Sequence, residues 1–103
     1  MSQTFIGYPI ITKTGANIAT GGASAGAAIP VDSAGNIPRY LRLSATAACC
    51  FRLGVGAQTA VVTDCQVQPG DSLIIGIPSG LTHIAAIQVT AGGQLNITPL
   101  ENV

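Results

Sequence analysis

The chain has 103 residues, 48% of them hydrophobic, enough for one buried core and too few for a second domain. Only 8% of the residues are charged, against about 25% in an ordinary soluble domain, and four cations balance four anions. That composition excludes a disordered chain, and the lack of a basic patch argues against direct contact with nucleic acid.

Residues Met1 to Phe5 show neither the basic region nor the apolar run of a signal peptide. No stretch reaches the ~18 apolar residues of a membrane span, so synthesis in a cytoplasm without membrane attachment is expected. Strands are expected at Tyr8–Lys13 and Ala16–Thr20, both rich in β-branched residues. The following stretch Thr20–Ala28, TGGASAGAA, offers little side chain to pack and reads as a flexible loop or arm that a neighbouring chain would order.

Further strands are expected at Ala27–Val31, Arg39–Ala45, Cys49–Leu53, Thr59–Cys65, Ser72–Ile77, Thr82–Thr90 and Leu95–Pro99. The alternation is clean in two of them. Leu41, Leu43 and Ala45 point to one side and Tyr40, Arg42 and Ser44 to the other; Cys49, Phe51 and Leu53 oppose Cys50 and Arg52. The arginine-bearing faces are therefore expected to lie outward on neighbouring strands. Between the strands, Asp32-Ser33-Ala34-Gly35-Asn36, Pro69-Gly70-Asp71, Pro78-Ser79-Gly80 and Ala91-Gly92-Gly93 carry turn chemistry. Eight or nine short strands with no helical periodicity predict an all-β, single-domain β-sandwich, jelly-roll-like in its winding. An immunoglobulin-like sandwich fits less well, because the chain has no tryptophan for its core.

No constellation of catalytic or metal-ligating residues stands out, so no enzyme activity and no cofactor is expected. His83 is the only histidine, and it sits in a strand pattern. Cys49 and Cys50 are adjacent, so on a strand they face opposite ways; with Cys65 they read as small, reduced, buried hydrophobes. Gly54-Val55-Gly56-Ala57-Gln58-Thr59 begins like a nucleotide-binding turn but lacks the third glycine and a following helix, so a hairpin loop is expected. Asn96-Ile97-Thr98 matches a glycosylation sequon by chance on a strand. Asp32 and Asp71 belong to turns, Glu101 to the terminal tail, and Asp64 to a strand where it pairs with an arginine.

Three stretches resemble small accessory virion proteins of tailed bacteriophages, of the capsid decoration or cement type. They are Ala28-Ile29-Pro30-Val31-Asp32 continuing through Gly35 to Arg39-Tyr40-Leu41-Arg42-Leu43, the run from Ile77 to Ala86, and the run from Gly93 to Glu101. The resemblance implies a virion protein on the outer capsid surface, bridging subunits of the major capsid protein and associating with itself as a dimer or trimer. It brings no catalytic residues. The short, nearly uncharged N-terminal segment departs from trimeric decoration proteins that have a long acidic or Pro-rich arm. Under this reading Tyr40, Arg42 and Arg52 are the contact candidates, because Tyr and Arg supply the most contact per side chain. Two other expectations compete: a tail, head-completion or fibre-attachment subunit, and a carbohydrate- or receptor-binding sandwich, which the few aromatic residues disfavour.

Overall fold

The computed structural model describes residues 10–101, and no helix forms among them. The strands are β1 (Ala16–Thr20), β2 (Ala25–Ala28), β3 (Tyr40–Ala45), β4 (Cys49–Gly54), β5 (Cys65–Val67), β6 (Ser72–Gly76), β7 (His83–Gln88) and β8 (Gly93–Leu100). They form two antiparallel four-stranded sheets, ordered β1-β8-β3-β6 and β2-β7-β4-β5. Pairing β1 with β8, β2 with β7, β3 with β6 and β4 with β5 rolls one long antiparallel ribbon into a sandwich. This is the jelly-roll winding expected from the strand count and spacing.

The two sheets contribute unequally to the core. The first supplies large side chains: Ile18, Leu41, Leu43, Leu95 and Ile97 are buried on its inner face. The second answers with Phe51, Ile84, Val67 and several small residues, including Ala25, Ala27 and Ala86. The small groups of β2 and β7 leave room for the branched side chains opposite, which keeps the interior filled without large residues on every strand.

That asymmetry explains the main departure from the sequence reading. Most of the Gly/Ala-rich stretch 20–28 is strand: Thr20 ends β1, a four-residue bend follows, and Ala25–Ala28 forms β2 in register with His83–Ala86. Alanine is a poor strand former by itself, so the paired neighbour β7 decides the conformation. The strand expected at Ala27–Val31 therefore ends at Ala28. The segment Thr59–Cys65 also departs: only Cys65 enters a strand, and residues 55–64 form a long flap. Of the strand expected at Tyr8–Lys13, Ile10 makes an isolated bridge to Glu101, while Tyr8 and Pro9 lie outside the described residues. The turns behave as their residues dictate: Gly35, Gly70 and Gly80 adopt φ of 85°, 86° and 99°.

The connections at the two ends differ in kind. At one end the links are short, residues 21–24, 46–48, 68–71 and 89–92, and several close on themselves. Thr20 Oγ1 accepts from Gly93 N at 3.0 Å, and Thr46 Oγ1 accepts from Gln94 N at 2.8 Å. A side chain on Gly93 would meet Thr46 Oγ1 at 2.6 Å and Ala47 Cβ at 2.8 Å, so the closure requires glycine there. At the opposite end the links are longer, residues 29–39, 55–64 and 77–82, and the segment 10–15 arrives beside them.

Candidate interaction surface

The outer face of the first sheet is polar but almost without charge. One row across all four strands reads Asn17, Asn96, Ser44 and Ser72. Asn96 Nδ2 donates to Asn17 Oδ1 at 2.8 Å, and Thr98 Oγ1 donates to Asn96 Oδ1 at 2.8 Å. Asn96 of the chance sequon thus makes a cross-strand amide pair with Asn17 and is held in turn by Thr98.

Tyr40, Arg42 and Arg52 do not share a surface. Strands β3 and β4 are consecutive in sequence but belong to opposite sheets, so Arg42 and Arg52 lie on opposite sides of the sandwich. This corrects the expectation of neighbouring arginine faces, which the alternation within each strand could not resolve. Arg42 is half-buried, and its Nη2 donates to Ser72 Oγ on β6 at 2.7 Å. Arg52 forms a two-point ion pair with Asp64, Nε to Oδ2 and Nη2 to Oδ1, each at 3.0 Å. The expected pairing of Asp64 with an arginine is present, although Asp64 lies just before β5.

That ion pair fastens the 55–64 flap over the outer face of the second sheet. Asp64 Oδ2 also accepts from Val61 N at 2.9 Å, and Ala60, 1% exposed, donates its N–H to Ser24 Oγ at 2.8 Å. Beneath the flap, the Cys50 thiol donates to the Val62 carbonyl at 3.4 Å. The Gly54–Gln58 part of this connection fills itself: Gln58 Nε2 donates to Val55 O at 3.1 Å, and Gly56 N is taken by Thr82 Oγ1 at 3.0 Å. The Gly56 amide is thus turned to an internal partner. The hydrogen bonds from Arg52 and Val61 hold the Asp64 carboxyl below the ordinary carboxylate range. A depressed carboxyl stabilises the folded flap above its unfolded pKa, ~3.9, and that contribution disappears as pH falls through the lower folded value.

The three thiols separate accordingly. Cys49 is buried in the core and Cys50 under the flap; burial pushes both thiols up, reinforced by Cys50 for Cys49 and by Asp64 and Cys65 for Cys50. Cys65 is exposed at the edge strand β5, contrary to the expectation of three buried cysteines, because a three-residue edge strand lacks a neighbour to cover it. A maleimide is therefore expected to label Cys65 alone and rapidly in the native chain. Asp64→Ala is expected to release the flap and make Cys50 the second reactive thiol while Cys49 stays protected. Equal labelling of Cys50 before and after that substitution, followed by peptide mass spectrometry, contradicts the role given to the ion pair.

Tyr40 leads to the end with long connections. It lines an open groove of about 590 Å³ with Ile37, Pro38, Arg39 and, from the facing connection, Ile77 and Pro78. A second groove of about 300 Å³ adjoins it, sharing Ile37, Arg39 and Tyr40 and adding Asp32, Leu100 and Glu101. Exposed apolar residues gather at this end beside the charged groups of the second groove. Of the eight exposed large hydrophobic residues among those described, five belong to segments at this end: Ile10, Ile11, Val31, Ile37 and Val55, with Ile11 60% and Val55 69% exposed. The connections carrying them are pinned from within. Glu101 accepts from Ser33 N at 3.1 Å, from Ser33 Oγ at 3.0 Å and from Thr12 Oγ1, while Ile10 and Glu101 exchange backbone hydrogen bonds of 2.7 and 2.9 Å. Asp32 Oδ1 accepts from Ala34 N and Asn36 N, both at 3.0 Å. Glu101, assigned to a terminal tail from sequence, thus joins three segments separated along the chain, which no local pattern signals.

His83 opens β7, half-buried, with Nδ1 2.8 Å from Thr82 Oγ1. Among the described residues no group of three His, Cys, Asp or Glu side chains converges as a metal site. The chain is a small jelly-roll sandwich whose long-connection end carries two grooves, exposed apolar residues and the charged groups of Asp32, Arg39 and Glu101. No protein-family model, no curated protein and no solved structure matches the chain.

Proposed function

We propose that the chain is a structural virion protein of the capsid decoration type, which attaches by its long-connection end to the outer surface of an icosahedral shell and strengthens it. The observation that carries this reading is the gathering of exposed apolar residues on connections held by Glu101 and Asp32. Exposed apolar residues on connections kept in one shape suit docking to another protein, since little ordering entropy is lost on contact. Tyr40 and Arg39, beside Ile37 and two prolines, give the groove the aromatic, guanidinium and aliphatic groups that anchor protein interfaces. The major capsid protein is the proposed partner, with neutral net charge disfavouring a position against DNA.

Four titratable side chains are occupied structurally: Asp64 by Arg52, Asp32 by its turn, Glu101 by Ser33 and Thr12, and His83 by Thr82. This supports a binding role over a catalytic one. Many copies on one shell act together, so each contact can be modest while the lattice resists expansion. Gel-band stoichiometry of purified particles tests the position. A fixed ratio to the main shell subunit across the whole surface is expected. A handful of copies at one vertex, or along a tail, replaces this reading with that of a connector or tail subunit.

A further inference from the structure

Strand β6 is an open edge of the first sheet, and its backbone is arranged for a partner. Ile77 N donates to Arg39 O at 2.7 Å, which makes Arg39 and Ile77 a hydrogen-bonded pair. In an antiparallel ladder such pairs alternate, so Leu41 with Ile75 and Leu43 with Leu73 are the next two. Leu73, Ile75 and Ile77 therefore spend their backbone groups on β3, and Ser72, Ile74 and Gly76 direct theirs outward along the edge. The strand carries none of the devices that blunt an edge: Ser72–Gly76 has no charge and no proline, and its register with β3 is continuous. Its side chains agree: Ile74 is 52% exposed on the outer face, and Leu73 and Ile75 are only partly buried against the core. The other edges are less suited. β1 turns through four residues into β2 at a closed corner, and β5 has three residues.

We infer that β6 pairs with β6 of a second copy of this chain, antiparallel about a two-fold axis through Ile74, joining two first sheets into one of eight strands. The segment is self-complementary in that register. Ile74 faces the partner's Ile74, Leu73 faces the partner's Ile75, and Ser72 faces the partner's Gly76. The outward donors and acceptors of Ser72, Ile74 and Gly76 are then satisfied, and the half-buried Leu73 and Ile75 are covered. Charge agrees as well: Asp71 comes opposite the partner's Ile77, two strand spacings, ~10 Å, from the partner's Arg39. A two-fold interface of this kind closes on itself, and it adjoins the long-connection end where Gly76 and Ile77 line the larger groove.

The inference stands apart from what that end binds, so it is tested on the isolated chain without any shell. Sedimentation or light scattering is expected to give a mass of twice the 10.3 kDa chain. Ile74→Lys places like charges against each other on the axis and is expected to raise the dissociation constant ~100-fold or more. Val62→Lys, at a similarly exposed apolar position on the flap, leaves the mass unchanged. Ile74→Cys in a Cys65→Ser background is expected to form a disulfide-linked dimer on mild oxidation, because facing residues in such a pair stand about 5.5 Å apart at Cα. A one-chain or three-chain mass for the unaltered protein overturns the inference. So does a dimer that Ile74→Lys leaves intact or that Ile74→Cys fails to cross-link.

Discussion

Leu43→Ala is expected to destabilise the protein by about 2–5 kcal/mol, a large part of the ~5–15 kcal/mol that holds a domain of this size. Leu43 is fully buried on the inner face of β3, with Ile97 of β8 and Leu73 of β6 as its cross-strand neighbours. It lies at the centre of the sheet that supplies the large half of the core. The facing sheet is built partly of alanine, whose short side chains cannot move into the space, so much of the cavity persists. At a fixed protein concentration the melting temperature is expected to fall by roughly 10–30 °C. Val55→Ala, at the most exposed of the large hydrophobic positions, is expected to stay within about 0.5 kcal/mol of the unaltered chain. A drop under ~3 °C for Leu43→Ala contradicts the placing of the core.

The second large effect belongs to the docking end. Ile37→Asp with Arg39→Glu changes two exposed residues that line both grooves, without touching the sheets. The pair reverses the one positive charge of the groove and puts an acid on its apolar rim, beside Asp32 and Glu101. Desolvating these added charges against a shell surface costs several kcal/mol, so binding to shells lacking the protein is expected to weaken at least ~100-fold. The melting temperature of the isolated variant is expected to stay near that of the unaltered chain, since neither side chain is in the core. Undiminished binding by a folded variant places the contact elsewhere on the molecule.

How much of this was legible in the sequence depends on the range over which each feature is decided. Strand β3 reads directly, because Leu41 and Leu43 alternate with Tyr40 and Arg42 within six residues. The turns at Gly35, Gly70 and Gly80 read directly too, each set by its own residues. β2 did not read, since its Ala and Gly residues become strand only through pairing with β7 and packing beneath the large side chains of the other sheet. The part of the flap from Thr59 onward looked like a strand for the opposite reason. Its Val61 and Val62 are β-branched, but Arg52 and Ser24, distant along the chain, hold the segment across a sheet face. The long-connection end was the least legible. Ile10, Ser33 and Glu101 meet only because the ribbon rolls up, and Arg42 and Arg52 separate for the same reason.

The most direct measurement of the central claim is the temperature at which particles release DNA, with and without this protein. A molecule that binds only the assembled lattice stabilises it by mass action, so the release temperature must rise with the concentration of added protein and level off when the sites are full. Particles lacking the protein are expected to assemble at normal size and to release DNA at a lower temperature. Purified protein added back is expected to restore the higher value, and the Ile37→Asp, Arg39→Glu variant to leave it low. Failure of such particles to form heads or tails at all, or a release temperature unmoved by full occupancy, contradicts the account.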